Sequence, residues 1–147
     1  MSKEEIDIEG LCEKAIETGQ QVAGFALDYS VASLKLLNYV IERLRSMKRR
    51  DMIREDVCWN VASCLGAYLG EVMLRDKLED KGFSWQLYDN DIPVLMDGDR
   101  ENMASPISKV HKMILNEGEG SVTAFYNVFL WMLEHPDFGK EESPGAE

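Results

Sequence analysis

The chain has 147 residues, 45% of them apolar and 29% charged, with a formal net charge of −11. That length makes one domain with one core, and that composition is ordinary globular usage, which excludes a globally disordered chain. So large an acidic excess leaves little basic surface for a nucleic-acid backbone or an anionic membrane, so the expected partner is a protein, a basic one included.

No uninterrupted apolar run approaches the roughly 20 residues that span a bilayer. The start, Met-Ser-Lys-Glu-Glu, leads into no apolar segment of the secretory kind. A cytoplasmic location is the expectation. The three cysteines, Cys12, Cys58 and Cys64, are an odd number in apolar surroundings, which suits a reducing compartment. Cys58 and Cys64 fall on different faces of a helix, and His111 and His135 lie far along the chain. No metal site and no cofactor are expected from that spacing.

Ile8, Leu11, Cys12, Ala15, Ile16, Gly19, Val22, Ala23 and Ala26 recur at helical spacing and predict an amphipathic helix over residues 4–26. Asp28-Tyr29-Ser30 breaks the pattern, and Asp28 or Ser30 can cap a second helix that runs to about Met47. Arg43, Arg45, Lys48, Arg49, Arg50 and Arg54 crowd its far end, where the helix dipole already favours positive charge. A solvated helix end therefore explains this basic knuckle more simply than a binding patch.

The third predicted helix covers residues 52–78. Cys58, Val61, Ala62, Leu65, Leu69, Val72 and Met73 make one apolar stripe, and Ser63, Gly66, Ala67 and Gly70 make a second stripe of small residues. Each helical glycine costs up to about 1 kcal/mol against alanine. Two in one helix imply that something packs against its backbone, so this helix is the expected centre of the fold, covered on more than one side.

Lys81-Gly82 stops it. Trp85-Gln86-Leu87-Tyr88, the turn-like Asp89-Asn90-Asp91 and Ile92-Pro93-Val94-Leu95-Met96 predict a small hairpin over 84–96, with Pro93 at an edge or strand start. A loop over 97–102 leads to Ser105-Pro106, which opens a fourth helix carrying Ile107, Val110, His111 and Ile114 inward. Ser121 caps a fifth. Its residues Val122, Phe125, Tyr126, Phe129, Leu130, Met132 and Leu133 predict burial around most of its girth, and His135-Pro136 ends it. Residues 138–147 read as a disordered tail.

Glu71 is the residue of most chemical interest. If the hairpin covers the glycine stripe, its carboxylate lies partly buried at the seam and must be paired or hydrogen-bonded. It is then either a structural acceptor for backbone N–H groups or the Trp85 indole or, with Tyr68, Trp85 and His111 around it, a general base or a site for a cationic ligand. No second catalytic group is tied to it by spacing, which favours the structural role. Asp97-Gly98-Asp99-Arg100-Glu101 lacks the register of a calcium loop and reads as a solvated turn. No glycine-rich phosphate loop and no nucleophile elbow occur. Trp59, Tyr68, Trp85, Phe125, Tyr126, Phe129 and Trp131 fall mostly on apolar stripes and read as core.

Leu27-Asp28-Tyr29-Ser30-Val31-Ala32-Ser33-Leu34 and Gly66-Ala67-Tyr68-Leu69-Gly70-Glu71, with Trp85 following, resemble a pattern in a group of short bacterial proteins of unknown function. The resemblance covers residues 25–130. It implies a compact helical domain without an assigned activity, and some of the group look like immunity or accessory proteins of toxin systems.

Together these readings predict an α+β, predominantly α domain over residues 1–137. About five helices surround the central one, with one small hairpin. The expected function is protein interaction, with a small-ligand or catalytic site around Glu71 as the alternative. The former requires an exposed apolar or charged face, the latter a concave site at Glu71.

Overall fold

A computed structural model describes residues 7–24, 26–88, 92–116 and 118–137. The fold is α+β and mainly α, with five helices and a three-stranded antiparallel sheet. In chain order the elements are α1 (Ile8–Ala23), α2 (Ser33–Arg49), α3 (Glu55–Met73), a π-helical turn (Leu74–Leu78), β1 (Ser84–Tyr88), β2 (Ile92–Met96), β3 (Met103–Ala104), α4 (Pro106–Leu115) and α5 (Val122–Glu134).

The side chain of Asp7 caps α1 by accepting from the Gly10 N–H at 3.0 Å. Gly24, at φ +76°, ends it in a left-handed turn that glycine adopts without steric cost. The helix thus stops short of the predicted Ala26, because Gly24 is the break and the apolar pattern beyond it belongs to the connection. The predicted residues 4–6 lie outside the described ones, as do the 89–91 turn and the 138–147 tail. Of the two predicted caps of α2 only Ser30 reaches a helical N–H; the N-cap position is Ala32, without a side-chain cap, and Asp28 holds Ser30 instead. Asp28 Oδ1 accepts from the Ser30 N–H and hydroxyl, and Ser30 Oγ accepts from the Ser33 N–H.

At the centre lies α3, with every residue from Cys64 to Gly70 buried. A helix apolar around its whole girth is stable only when neighbours cover it on all sides. Here α1 and α4 lie along it, and the sheet closes the remaining side. The continuous helix from Glu55 to Leu78 is long and apolar enough by composition to cross a bilayer. Its apolar side chains meet Leu34, Leu37, Ile41, Val110, Met113 and Ile114 in one core instead.

The glycine stripe is covered at both positions, by different elements. A methyl group at Gly66 would overlap the backbone of Ile107 in α4, and one at Gly70 would overlap the Trp85 ring. The two glycines therefore let a helix and a strand approach the α3 backbone more closely than any side chain permits.

The sheet has the order β1-β2-β3. The predicted hairpin is present, with Trp85 opposite Leu95, and a third strand pairs Met103 with Met96 and Ala104 with Leu95. This strand is an addition to the sequence reading. Asp97 creates it by accepting from the Glu101 and Asn102 N–H groups and the Asn102 side chain, which folds residues 97–102 into a tight return. Pro93 lies in the middle strand, opposite Leu87 of β1, at a position that β3 does not reach, so on that side β2 is an edge there.

The basic knuckle is largely used internally. The Arg45 guanidinium donates to the Met113 carbonyl at the end of α4, Lys48 pairs with Glu55, and Arg54 grips Asp56 with two hydrogen bonds.

Glycine-to-alanine changes normally stabilise a helix. At Gly66 the sign should reverse, with a loss of about 2 kcal/mol from overpacking against the α4 backbone. Gly98→Ala, in open space, should be nearly neutral. Chemical denaturation of the two variants checks this, and a stabilised Gly66→Ala would contradict the close approach.

Candidate functional site

Glu71 lies on the last turn of α3, and its side chain is 20% exposed. Its Oε2 accepts from the Trp85 indole N–H at 2.9 Å, and its Oε1 accepts from Arg75 Nε at 3.3 Å. Both carboxylate oxygens are therefore engaged, one holding the sheet and one holding the π-helical turn. That turn aims Arg75 outward. Its guanidinium stacks 3.8 Å above the ring of Tyr29 while one edge holds Glu71.

Tyr29 is in the left-handed region at φ +69°, uncommon for a residue of its size. Its N–H donates to the Tyr68 hydroxyl at 2.8 Å, the two rings lie 5.0 Å apart, and the Tyr68 hydroxyl shares a further 2.6 Å hydrogen bond with buried Ser33. The two motifs separated by some forty residues in sequence thus meet in space. Tyr68 is fully buried. Its hydroxyl bonds Tyr29 and Ser33, and Tyr29 and Arg75 link it to the Glu71 carboxylate.

Cys12 closes the cluster from α1, beside the Tyr29 side chain. Burial, reinforced by the nearby Glu71 charge, pushes its thiol up to about 12. Burial and the Cys12 contact push the Tyr29 phenol up to about 12. Both groups are fully protonated at neutral pH, so neither supplies a nucleophile. Among the described residues, every buried side-chain nitrogen and oxygen has a hydrogen-bond partner. The cluster is a satisfied joint between α1, α2, α3 and the sheet, and this geometry favours the structural role of Glu71 over the ligand-binding one.

His111 does not join it. Its ring stands edge-on to Trp59 at 4.9 Å. Trp59 is on α3, about twelve residues or roughly 18 Å before Glu71. Periodicity placed His111 on the inner side of α4 but could not say which part of α3 that side meets. An open groove of about 860 Å³ is also at that end, between Leu11 and Lys14 of α1, Trp59 and Cys64 of α3, and Pro93. Glu71 is not among the residues lining that groove.

Comparison of the chain with protein-family models, with curated proteins and with solved structures finds no match. Any functional surface must therefore be read from the molecule itself.

The residues that sequence reasoning misjudged are on α5. Only Val122 and Tyr126 of this helix are buried, contrary to the predicted burial around its girth. Val128, Trp131 and Met132 are 55%, 42% and 48% exposed, and Trp59 is also part-exposed at 37%, so neither Trp59 nor Trp131 is a core residue. The inner side of α5 is held firmly. The Tyr126 hydroxyl donates to Asp76 at 2.7 Å, the Val122 N–H donates to Asn38 at 2.8 Å, and Phe129 meets Phe83 edge-on. The outer side presents Ala124, Val128, Trp131 and Met132 to solvent. No Asp, Glu, Lys, Arg or His occurs between Ser121 and Leu133.

Two outcomes follow from the joint. Glu71→Leu strands the indole N–H and should cost about 2 kcal/mol, whereas Glu71→Gln keeps an acceptor and should lose less than half of that. Equal losses in urea melts would show that the charge, not the indole bond, matters. The raised Cys12 thiol also links stability to pH. An unfolded thiol ionises near 9.0 and the folded one near 12. The folded chain therefore binds the extra proton between those values, and stability complete below pH 9 falls as pH rises toward 12. Cys12→Ala should flatten that fall, and an unchanged alkaline slope would contradict the assignment.

Proposed function

We propose that this chain is a protein-interaction domain that docks another protein chain through the outer face of α5. The observation that carries the reading is the run of Val128, Trp131 and Met132, large apolar side chains exposed at i, i+3 and i+4 on a helix whose opposite side is anchored. Scattered apolar side chains on a surface are ordinary; a contiguous set on one rigid helix marks a docking face. The net charge of −11 favours solubility, while this strip carries no charge. An enzymatic or small-ligand reading gains less support, because Glu71 has both oxygens occupied by Arg75 and Trp85.

The Trp131 ring is already ordered, stacked at 4.0 Å on His135, whose Nδ1 lies 2.8 Å from the Trp131 carbonyl. An aromatic side chain held this way loses little rotamer freedom on binding, which suits it to anchor an interface.

Photo-crosslinking tests the reading. A crosslinking residue at Val128 or Met132 should capture a protein chain in cells of the source, and one at Glu13, on the exposed side of α1, should not. A lack of any crosslink from α5 would overturn the proposal.

A further inference from the structure

Resting on that reading, we infer that the chain seated on the outer face of α5 is a second copy of this protein, its α5 running antiparallel about a two-fold axis at Val128. Three features of the face carry this. The first is spacing. Ala124, Val128, Trp131 and His135 follow one another at four, three and four residues, the seam along which two helices pack side by side. The second is self-complementarity. A two-fold interface sets the same patch against itself, so bulky positions must meet small ones. With Val128 on the axis, small Ala124 lies beside the partner's bulky Met132, on both sides of the axis.

The third feature is charge. Two chains of −11 repel, so a homotypic contact belongs where the surface carries no ionisable side chain. The outer side of α5 meets that condition across the whole helix up to Glu134. In the antiparallel arrangement that one carboxylate lies beside the partner's Val122, at the N-terminal end of α5, where the helix dipole favours a negative charge.

Two such strips enclose on the order of 1,000 Å² in total, the lower limit for a specific interface. The dimer is therefore weak and concentration-dependent. Its dependence on salt distinguishes it from a complex with a basic protein. Screening relieves repulsion between two acidic copies and strengthens the dimer, whereas it weakens an acidic-basic pair.

Sedimentation equilibrium of the full chain across a wide concentration range tests the inference. The mass should rise from 16.7 kDa toward twice that value, more readily at high salt. Val128→Glu places like charges on the axis and should weaken association at least about tenfold. Its melting temperature should be unchanged, because Val128 is largely exposed. Ala124→Glu should weaken the dimer, and the double variant Ala124→Glu/Met132→Lys should restore it. A chain that stays monomeric at every concentration, a dimer indifferent to Val128→Glu, or a double variant that fails to recover overturns the antiparallel pairing. If the chain is monomeric yet a Val128 crosslink captures a different protein, the docking reading stands and this inference falls. If neither occurs, both fall.

Discussion

The close approach to the α3 backbone at Gly66 and Gly70 is the constraint on which the other contacts depend. Ile107 occupies the space a side chain would take at the first position, and the Trp85 ring occupies it at the second. Once Trp85 lies there, its indole N–H points at Glu71 on the next part of the helix, and the 2.9 Å hydrogen bond fixes the strand's position along α3. The sheet is only three strands wide, and β3 contributes two residues. Such a sheet gains its stability from the helix beneath it rather than from its own ladder. Burying Trp85 against α3 supplies that, and burying its N–H with a carboxylate acceptor avoids the cost of an unsatisfied donor.

The end of α3 extends the same logic to the remaining helices. Its last turn opens into five π-helical residues, with the Glu79 N–H reaching back to the Leu74 carbonyl at 3.0 Å. The wider turn sends Arg75 and Asp76 to different neighbours. Arg75 goes to Glu71 and the Tyr29 face, and Asp76 goes to the Tyr126 hydroxyl. Burial and the Asp76 contact hold the Tyr126 phenol well above its ordinary range, so the bond is donated by a neutral hydroxyl. One local distortion thereby ties the α1–α2 connection and α5 to the same central helix. The left-handed Tyr29 is the counterpart on the other chain segment: its unusual backbone turns its N–H onto Tyr68, and Arg75 and Tyr68 hold its ring from two sides. Strain at such a residue persists only where its surroundings over-determine it.

The architecture around α3 was legible because glycine in a helix interior has a cost that only packing can offset. That cost, together with the position of Glu71, pointed to a covering aromatic segment, and Trp85 supplies it. The third strand was not legible, since it depends on how Asp97 organises the backbone of residues 97–102 rather than on an apolar pattern. Nor was the separation of His111 from Glu71: helical periodicity gives a residue's face but not its height along the neighbour, and His111 meets α3 near Trp59. The conformation of Tyr29 left no signal in composition. The candidate surface on α5 was misjudged for a related reason. Apolar residues all around a helix indicate that its whole girth prefers to leave water, but they do not say whether this chain provides the cover.

On α3 that cover is complete, and on α5 it is not, although α5 is apolar on both sides. The difference lies in position. α3 is central in the packing, whereas α5 is the last described helix and touches mainly α2, with Tyr126 and Phe129 reaching the segment after α3. A peripheral helix can satisfy a folding requirement with one side alone, and a polar outer side would have cost nothing in this fold. In a chain with 29% charged residues, the absence of any from Ser121 to Leu133 therefore has no explanation in the packing of a single copy. Exposed Val128, Trp131 and Met132 carry an aggregation risk that a second surface, seated on them, removes. The proposal that this surface is α5 of another copy rests on that uncharged face and on small Ala124 falling opposite bulky Met132 in an antiparallel pair.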